Sequence, residues 1–188
     1  MGGKSTKRRN AVKARHAHLF AARLRTGTTA ASRTGERDLE PANAEGKVID
    51  RIDRDEMMMR IAAVVSQRGT CERASVGAVI ALDGRIISSG YVGAPSGLPH
   101  CREVGCDIGD SGGCRRTVHA ETNAVAFAAR AGIPTAGSTI YVTHSPCREC
   151  AKIILNAGIE RVVYEQPYRD SSGLELLSEA GVEWMQWS

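Results

Sequence analysis

Five residues stand out for the chemistry they could do together. His119-Ala120-Glu121 is followed further along by Pro146-Cys147-Arg148-Glu149-Cys150. Cys147 and Cys150 are three apart at the predicted start of a helix, which sets both sulfurs on one face, able to grip one ion. A helix N-terminus carries partial positive charge and favours thiolate over thiol. Pro146 suits the point where the chain enters a helix. With His119 the two thiolates make three protein ligands for zinc. Three ligands leave a fourth tetrahedral position for water, which separates a catalytic zinc site from a structural one. Zinc lowers the pKa of such water to ~7 in favourable sites. Glu121 is not a ligand in this scheme. Its role is proton shuttling, taking a proton from water and delivering it to the substrate and the leaving group. A purely structural zinc site is the competing reading, and Glu121 argues against it.

Four of the six cysteines remain: Cys71, Cys101, Cys106 and Cys114. Grouped, they form a Cys₄ set able to hold a structural zinc. Free buried cysteines, with His100 as a competing ligand, are the alternative. Metal binding is favoured over disulfides because no signal-peptide h-region follows the first basic residues. Arg73, Arg115 and Arg116 can each meet a phosphate bidentately, and each can equally be a solvated surface charge. Tyr168 is the aromatic residue best placed to line a binding pocket. His144, just before Pro146-Cys147, reads as pocket wall.

These residues need elements to hold them. Asp53 and Glu56 have capping-box spacing ahead of a helix over Met57–Val65. The adjacent Met57, Met58 and Met59 read as core filler, not ligands. Ala74–Leu82 reads as a strand, Asp83-Gly84 as a hairpin turn, and Arg85–Gly90 as the returning strand. The segment 91–118 carries six glycines, two prolines and three cysteines. A loop of that length needs an internal organiser, which the cysteines supply. Helices follow over His119–Arg130, Cys147–Asn156 and Gly173–Ala180. Strands fall at Ser138–Thr143, Glu160–Tyr164 and Val182–Gln186. A hairpin followed by alternating helix and strand gives an α/β sheet covered by helices on both faces.

The chain has 188 residues, 42% hydrophobic and 24% charged, as a globular protein does. No apolar run approaches the ~20 residues needed to span a bilayer. No membrane partner and a cytoplasmic location are therefore expected. The net charge of +4 hides an asymmetry. Residues 1–37 hold ten Lys or Arg and one acid, whereas the rest holds fifteen basic and twenty acidic residues. The basic surplus belongs to a tail over residues 1–48, read first as disordered, with a targeting peptide or a nucleic-acid arm as alternatives. The chemistry belongs to residues 49–188. A global charge argument for nucleic-acid binding misreads this chain.

The pattern H-x-E…P-C-x-x-C is the signature of zinc deaminases acting on nucleobases. Beyond it, the sequence from about Asp53 onward resembles the deoxycytidylate (dCMP) deaminase family of the cytidine deaminase superfamily. The resemblance rests on Ser75-Val76-Gly77-Ala78-Val79-Ile80 and Gly90-Tyr91-Val92-Gly93-Ala94-Pro95-Ser96-Gly97. It continues through Cys114-Arg115-Arg116-Thr117-Val118-His119-Ala120-Glu121, then Asn123, Phe127, Arg130, Val163-Tyr164 and Tyr168-Arg169. It implies a three-layer cytidine deaminase-like fold with a five-stranded mixed sheet flanked by helices. It implies hydrolysis of dCMP to dUMP and ammonia, with attack at C4 of the base, feeding thymidylate synthesis. Tyr168, Asn123, Arg116 and Arg73 are the residues expected to bind substrate, and the resemblance implies a structural zinc at the second cysteine set. It further implies a homo-oligomer, a hexamer or a dimer, activated by dCTP and inhibited by dTTP with Mg²⁺. One position departs from the family pattern, which reads Gly-Tyr-Asn-Gly where this chain has Val92. Valine cannot replace an amide hydrogen bond, so sugar, effector or base preference is open to change, including toward a 5-modified dCMP. The rival function is a nucleic-acid deaminase acting on tRNA adenosine or DNA cytosine, supported by the basic tail and opposed by the cysteine-rich loop.

Overall fold

The computed structural model describes residues 51–110 and 112–188. The expected tail at residues 1–48, and the start of the catalytic domain at residue 49, lie outside the described residues.

The first helix, α1 (Arg54–Ser66), begins where the capping-box spacing predicts. Asp53 caps it, its Oδ1 accepting from the Glu56 N–H at 2.7 Å. A hairpin follows, β1 (Gly77–Leu82) and β2 (Arg85–Tyr91). Asp83 and Gly84 both adopt positive φ, +51° and +75°, as a tight two-residue turn matched to strand twist requires. β1 begins at Gly77, later than the sequence suggests, because Ser75 turns its hydroxyl to the Ser66 carbonyl at the end of α1.

The long segment before the catalytic helix holds a single turn of helix, α2 (Cys101–Val104), which periodicity does not reveal. Isolated bridges between Ile108 and Cys114 and between Gly93 and Val118 organise the rest. The remaining elements are α3 (Ala120–Arg130), β3 (Thr139–His144), α4 (Arg148–Asn156), β4 (Arg161–Gln166), α5 (Ser172–Glu179) and β5 (Glu183–Gln186).

The five strands form one mixed sheet in the order β2-β1-β3-β4-β5. β1 runs antiparallel to β2 and β3, while β3, β4 and β5 are mutually parallel. Alternate side chains supply two cores. On one face Ala78, Ile80, Ile140, Val142 and Val162 meet Ala120 and Ala124 of α3, Ala151 and Ile154 of α4, and Leu177 of α5. On the other, Val79, Ala81, Tyr141 and Val163 meet Met58, Met59 and Ala62 of α1. Burial on both faces explains why β1 is apolar at every position instead of alternating. It also makes Met58 and Met59 core residues, as expected. The result is the three-layer, cytidine deaminase-like α/β fold.

Two further features hold the layers. A Cβ at Gly90 would collide with the backbone of Ala120 and Ala124, so glycine there lets β2 lie directly on α3. On the opposite face Arg161 of β4 makes two parallel bonds to Asp55 of α1, at 2.9 and 2.7 Å, and the Tyr141 hydroxyl donates to the same carboxylate at 2.7 Å. None of the described helices is long and apolar enough to cross a membrane.

Candidate active site

The topology brings two helix N-termini together at one end of the sheet. His119 is the N-cap residue of α3, and Cys147, reached from β3 through His144-Ser145-Pro146, is the N-cap of α4. His119 Nδ1 lies 3.5 Å from Cys147 Sγ and 3.3 Å from Cys150 Sγ. A tetrahedral zinc with bonds of ~2.3 Å to sulfur and ~2.0 Å to nitrogen requires N···S edges of about 3.5 Å. The three donors therefore fit zinc in type and in spacing. Thr122 Oγ1 adds a contact to Cys150 Sγ at 3.7 Å. The hydrogen bond from Cys150, with His119 assisting, holds the Cys147 thiol well below its ordinary value, which favours the thiolate. The same bond and burial push the Cys150 thiol up. His119 is raised, chiefly by its bond to Cys147.

Glu121 occupies the first turn of α3 and is only 4% exposed. Burial pushes its carboxyl up to about 7, out of the usual carboxylate range and into the range where a group both takes and gives protons near neutral pH. It lines a cavity of about 230 Å³ together with His119 and Cys147.

Of the four residues expected to bind substrate, two line this cavity: Tyr168 and Arg73. Arg73 also donates to the Gly112 carbonyl at 2.8 Å. The other two do not line it. Asn123 sits one turn into α3, where its amide donates to the Tyr91 carbonyl at 2.8 Å and braces the end of β2. Arg116 has a buried Nε without a partner among the described residues, in the loop leading to α3. Arg115 pairs with Asp107 at 2.8 Å. Val92 and His144 face the cavity, the latter as pocket wall, as read from sequence.

Among the cavity residues to which sequence reasoning gave no role are Ser145 and Arg169. Arg169 lies over the Tyr168 ring, 5.5 Å from its centroid. Its adjacency to Tyr168 was the available signal. Ser145 had none, because its part depends on a bond to a distant loop.

The second cysteine group also assembles. The sulfurs of Cys101, Cys106 and Cys114 lie within 4.8 Å of one another. Cys101 and Cys114 are 3.7 Å apart, close to the about 3.8 Å edge that two ~2.3 Å zinc–sulfur bonds define. Cys71 is buried but is not drawn into this group of three. His100 caps α2, its N–H donating to Glu103, and is not in the group either.

A His/Cys/Cys ligand set beside a buried glutamate, on two helix N-termini over a five-stranded mixed sheet, defines the class of zinc-dependent deaminases. Residues 52–166 match the family model described as the cytidine and deoxycytidylate deaminase zinc-binding region. ComE operon protein 2 of Bacillus subtilis is 42% identical over 135 residues, covering 71% of each chain. The deoxycytidylate deaminase of Mycobacterium phage D29 is 40% identical over 126 residues, covering 62% of this chain and 97% of the phage protein. Among solved structures, the dCMP deaminase of cyanophage S-TIM5, in complex with dCMP and dUMP, superposes with a TM-score of 0.63 at 34% identity. That match covers 70% of this chain and 95% of the phage enzyme. The chain belongs to the deoxycytidylate deaminase family within the cytidine deaminase superfamily, and it is a zinc-dependent nucleotide deaminase.

Proposed function

We propose that this chain hydrolyses dCMP to dUMP and ammonia and so supplies dUMP for thymidylate synthesis. The observation that carries the reading is the buried Glu121 beside the His119, Cys147 and Cys150 donors in a cavity whose walls also carry Arg73, Tyr168 and Arg169. The relatives support the choice of nucleotide, since the cyanophage enzyme was crystallised with dCMP and dUMP. His119, Cys147 and Cys150 would hold the catalytic zinc. What zinc supplies when bound is Lewis acidity, which makes water a nucleophile near neutral pH. Glu121 is placed to take one proton from the attacking water and pass it to N3 of the base, then to take the second proton from the hydroxyl formed at C4 and give it to the departing amine, which leaves as ammonia. Its burial limits exchange of these protons with bulk water. Tyr168 offers a face for the nucleotide, and Arg73 and Arg169 place positive charge where a 5′-phosphate can be met.

Cys101, Cys106 and Cys114 would hold a second, structural zinc, with Cys71 as the fourth ligand. Asn123 acts on substrate through the β2 end that it braces, and Arg116 acts from the loop ahead of α3. The resemblance to the family supports a cytoplasmic homo-oligomer, a hexamer or a dimer, with dCTP and, with Mg²⁺, dTTP as effectors. The deaminase chemistry is assigned to residues 49–188. Ammonia release from a panel of dCMP, 5-methyl-dCMP, CMP, deoxycytidine and oligonucleotides tests the function. Fastest turnover of dCMP is expected. Turnover confined to an oligonucleotide overturns the reading in favour of a nucleic-acid deaminase.

A further inference from the structure

Ser145 stands between the metal-ligand loop and the wall that carries Tyr168 and Arg169. It is 3% exposed and lines the cavity. Its N–H donates to the Gln166 carbonyl at 2.8 Å, which prolongs the β3–β4 pairing by one step beyond His144. Its Oγ then accepts the Tyr168 N–H at 2.7 Å. The far end of the same connection is fixed differently. A Cβ at Gly173 would collide with the backbone of Pro146 and Cys147, so the first turn of α5 lies directly on the ligand loop. Asp170 accepts from the Ser172 N–H and hydroxyl at 2.9 and 2.8 Å, closing that end. Between these two anchors, Tyr168 is the cavity residue whose backbone is held by a side chain of the ligand loop.

We infer that Ser145 is a positioning residue: by fixing the Tyr168 backbone it sets the distance between the zinc-ligand loop and the Tyr168-Arg169 wall. This rests on the reading of the cavity as a nucleotide site. The chemistry concerned is the sugar-phosphate end of the nucleotide, because Arg169 is the charged group on that wall and lies over the Tyr168 ring. The reacting carbon is governed from the other side, by Glu121 and the ligands. Loosening the wall therefore weakens substrate binding and leaves the bond-making step in place, a split that a general loss of packing does not give.

Ser145→Ala in the full chain tests this. One net hydrogen bond corresponds to about a 2- to 10-fold change. KM for dCMP rises by that factor, kcat stays within about 2-fold of wild type, and zinc content and melting profile stay close to wild type. In the Arg169→Ala background the same substitution adds much less, because both act on one wall. An unchanged KM, a kcat that falls together with zinc content, or full additivity with Arg169→Ala overturns the inference. Wild-type protein is assayed first. If it deaminates another cytosine nucleotide and not dCMP, the functional reading fails, and the Ser145 comparison is made on that nucleotide.

Discussion

Glu121, His119, Cys147 and Cys150 were readable from sequence for a physical reason. Each sits on a residue or two of local structure, an N-cap or a first helical turn, and short spacing fixes how such side chains point. Glu121→Gln should keep zinc, since Glu121 is not a ligand, yet lose about 10²–10⁴-fold in kcat because the amide cannot carry the proton. Metal analysis and steady-state kinetics on one preparation check both halves, and near-normal kcat would overturn the mechanism. The substrate contacts were less legible. Arg73 and Tyr168 reach the cavity, whereas Asn123 is turned to the Tyr91 carbonyl, a choice made by the neighbouring strand and invisible in the helix itself. Val92 is the sharpest residue-scale question, being 5% exposed and lining the cavity. Val92→Asn should lower the half-saturating dCMP concentration by about 2- to 10-fold if it restores one neutral hydrogen bond to the nucleotide. Unchanged affinity with a lower melting temperature would make Val92 a packing residue, because a buried amide without partners costs stability.

At the scale of elements, the helices and strands fell close to where periodicity and turn residues put them, since those signals are local. The exceptions have local causes too. β4 reaches Gln166, beyond the expected Tyr164, because the ligand loop pairs with it through Ser145 and His144. α2 is one turn long, below what an apolar stripe can mark. The packing of α1 on the sheet depends on the Asp55–Arg161 pair, with both side chains only about a quarter exposed. The Arg161 bond holds the Asp55 carboxyl below its ordinary value, although partial burial opposes this. A depressed carboxyl pKa contributes stability that is present above the unfolded value of ~3.9 and is lost as pH falls through the folded one. Asp55→Asn should accordingly cost about 1.5–3 kcal/mol at neutral pH, as charge-assisted bonds to a retained arginine do. The melting-temperature gap between variant and wild type should shrink as pH is lowered below about 4. No destabilisation of the variant at pH 7 would mean that the ion pair contributes nothing measurable.

For the whole molecule, the sequence pointed to a helix-covered sheet, but not to the order β2-β1-β3-β4-β5. That order depends on pairings between distant segments, and no local signal encodes them. Family resemblance supplied the five-stranded mixed sheet; hydropathy alone could not have done so. The same non-local logic governs the cysteines. Spacing named four of them, and the fold draws Cys101, Cys106 and Cys114 within 4.8 Å while leaving Cys71 outside that group. The segment they belong to has little regular structure, one helical turn and two isolated bridges, yet it supplies Gly112, Gly113 and Cys114 to the cavity wall. A segment so poor in apolar core needs a cross-link to stay in place, and the proposed thiolate-bound zinc would supply one. Elemental analysis of purified, full-length protein should therefore give close to two zincs per chain. Cys106→Ala should lower that ratio toward one, spare the His119-Cys147-Cys150 metal, and raise KM more than it lowers kcat, since the loosened segment is cavity wall and not catalytic machinery. A wild-type ratio of one, with Cys106→Ala unchanged in metal and kinetics, would remove the structural site and leave these cysteines as ordinary packing residues.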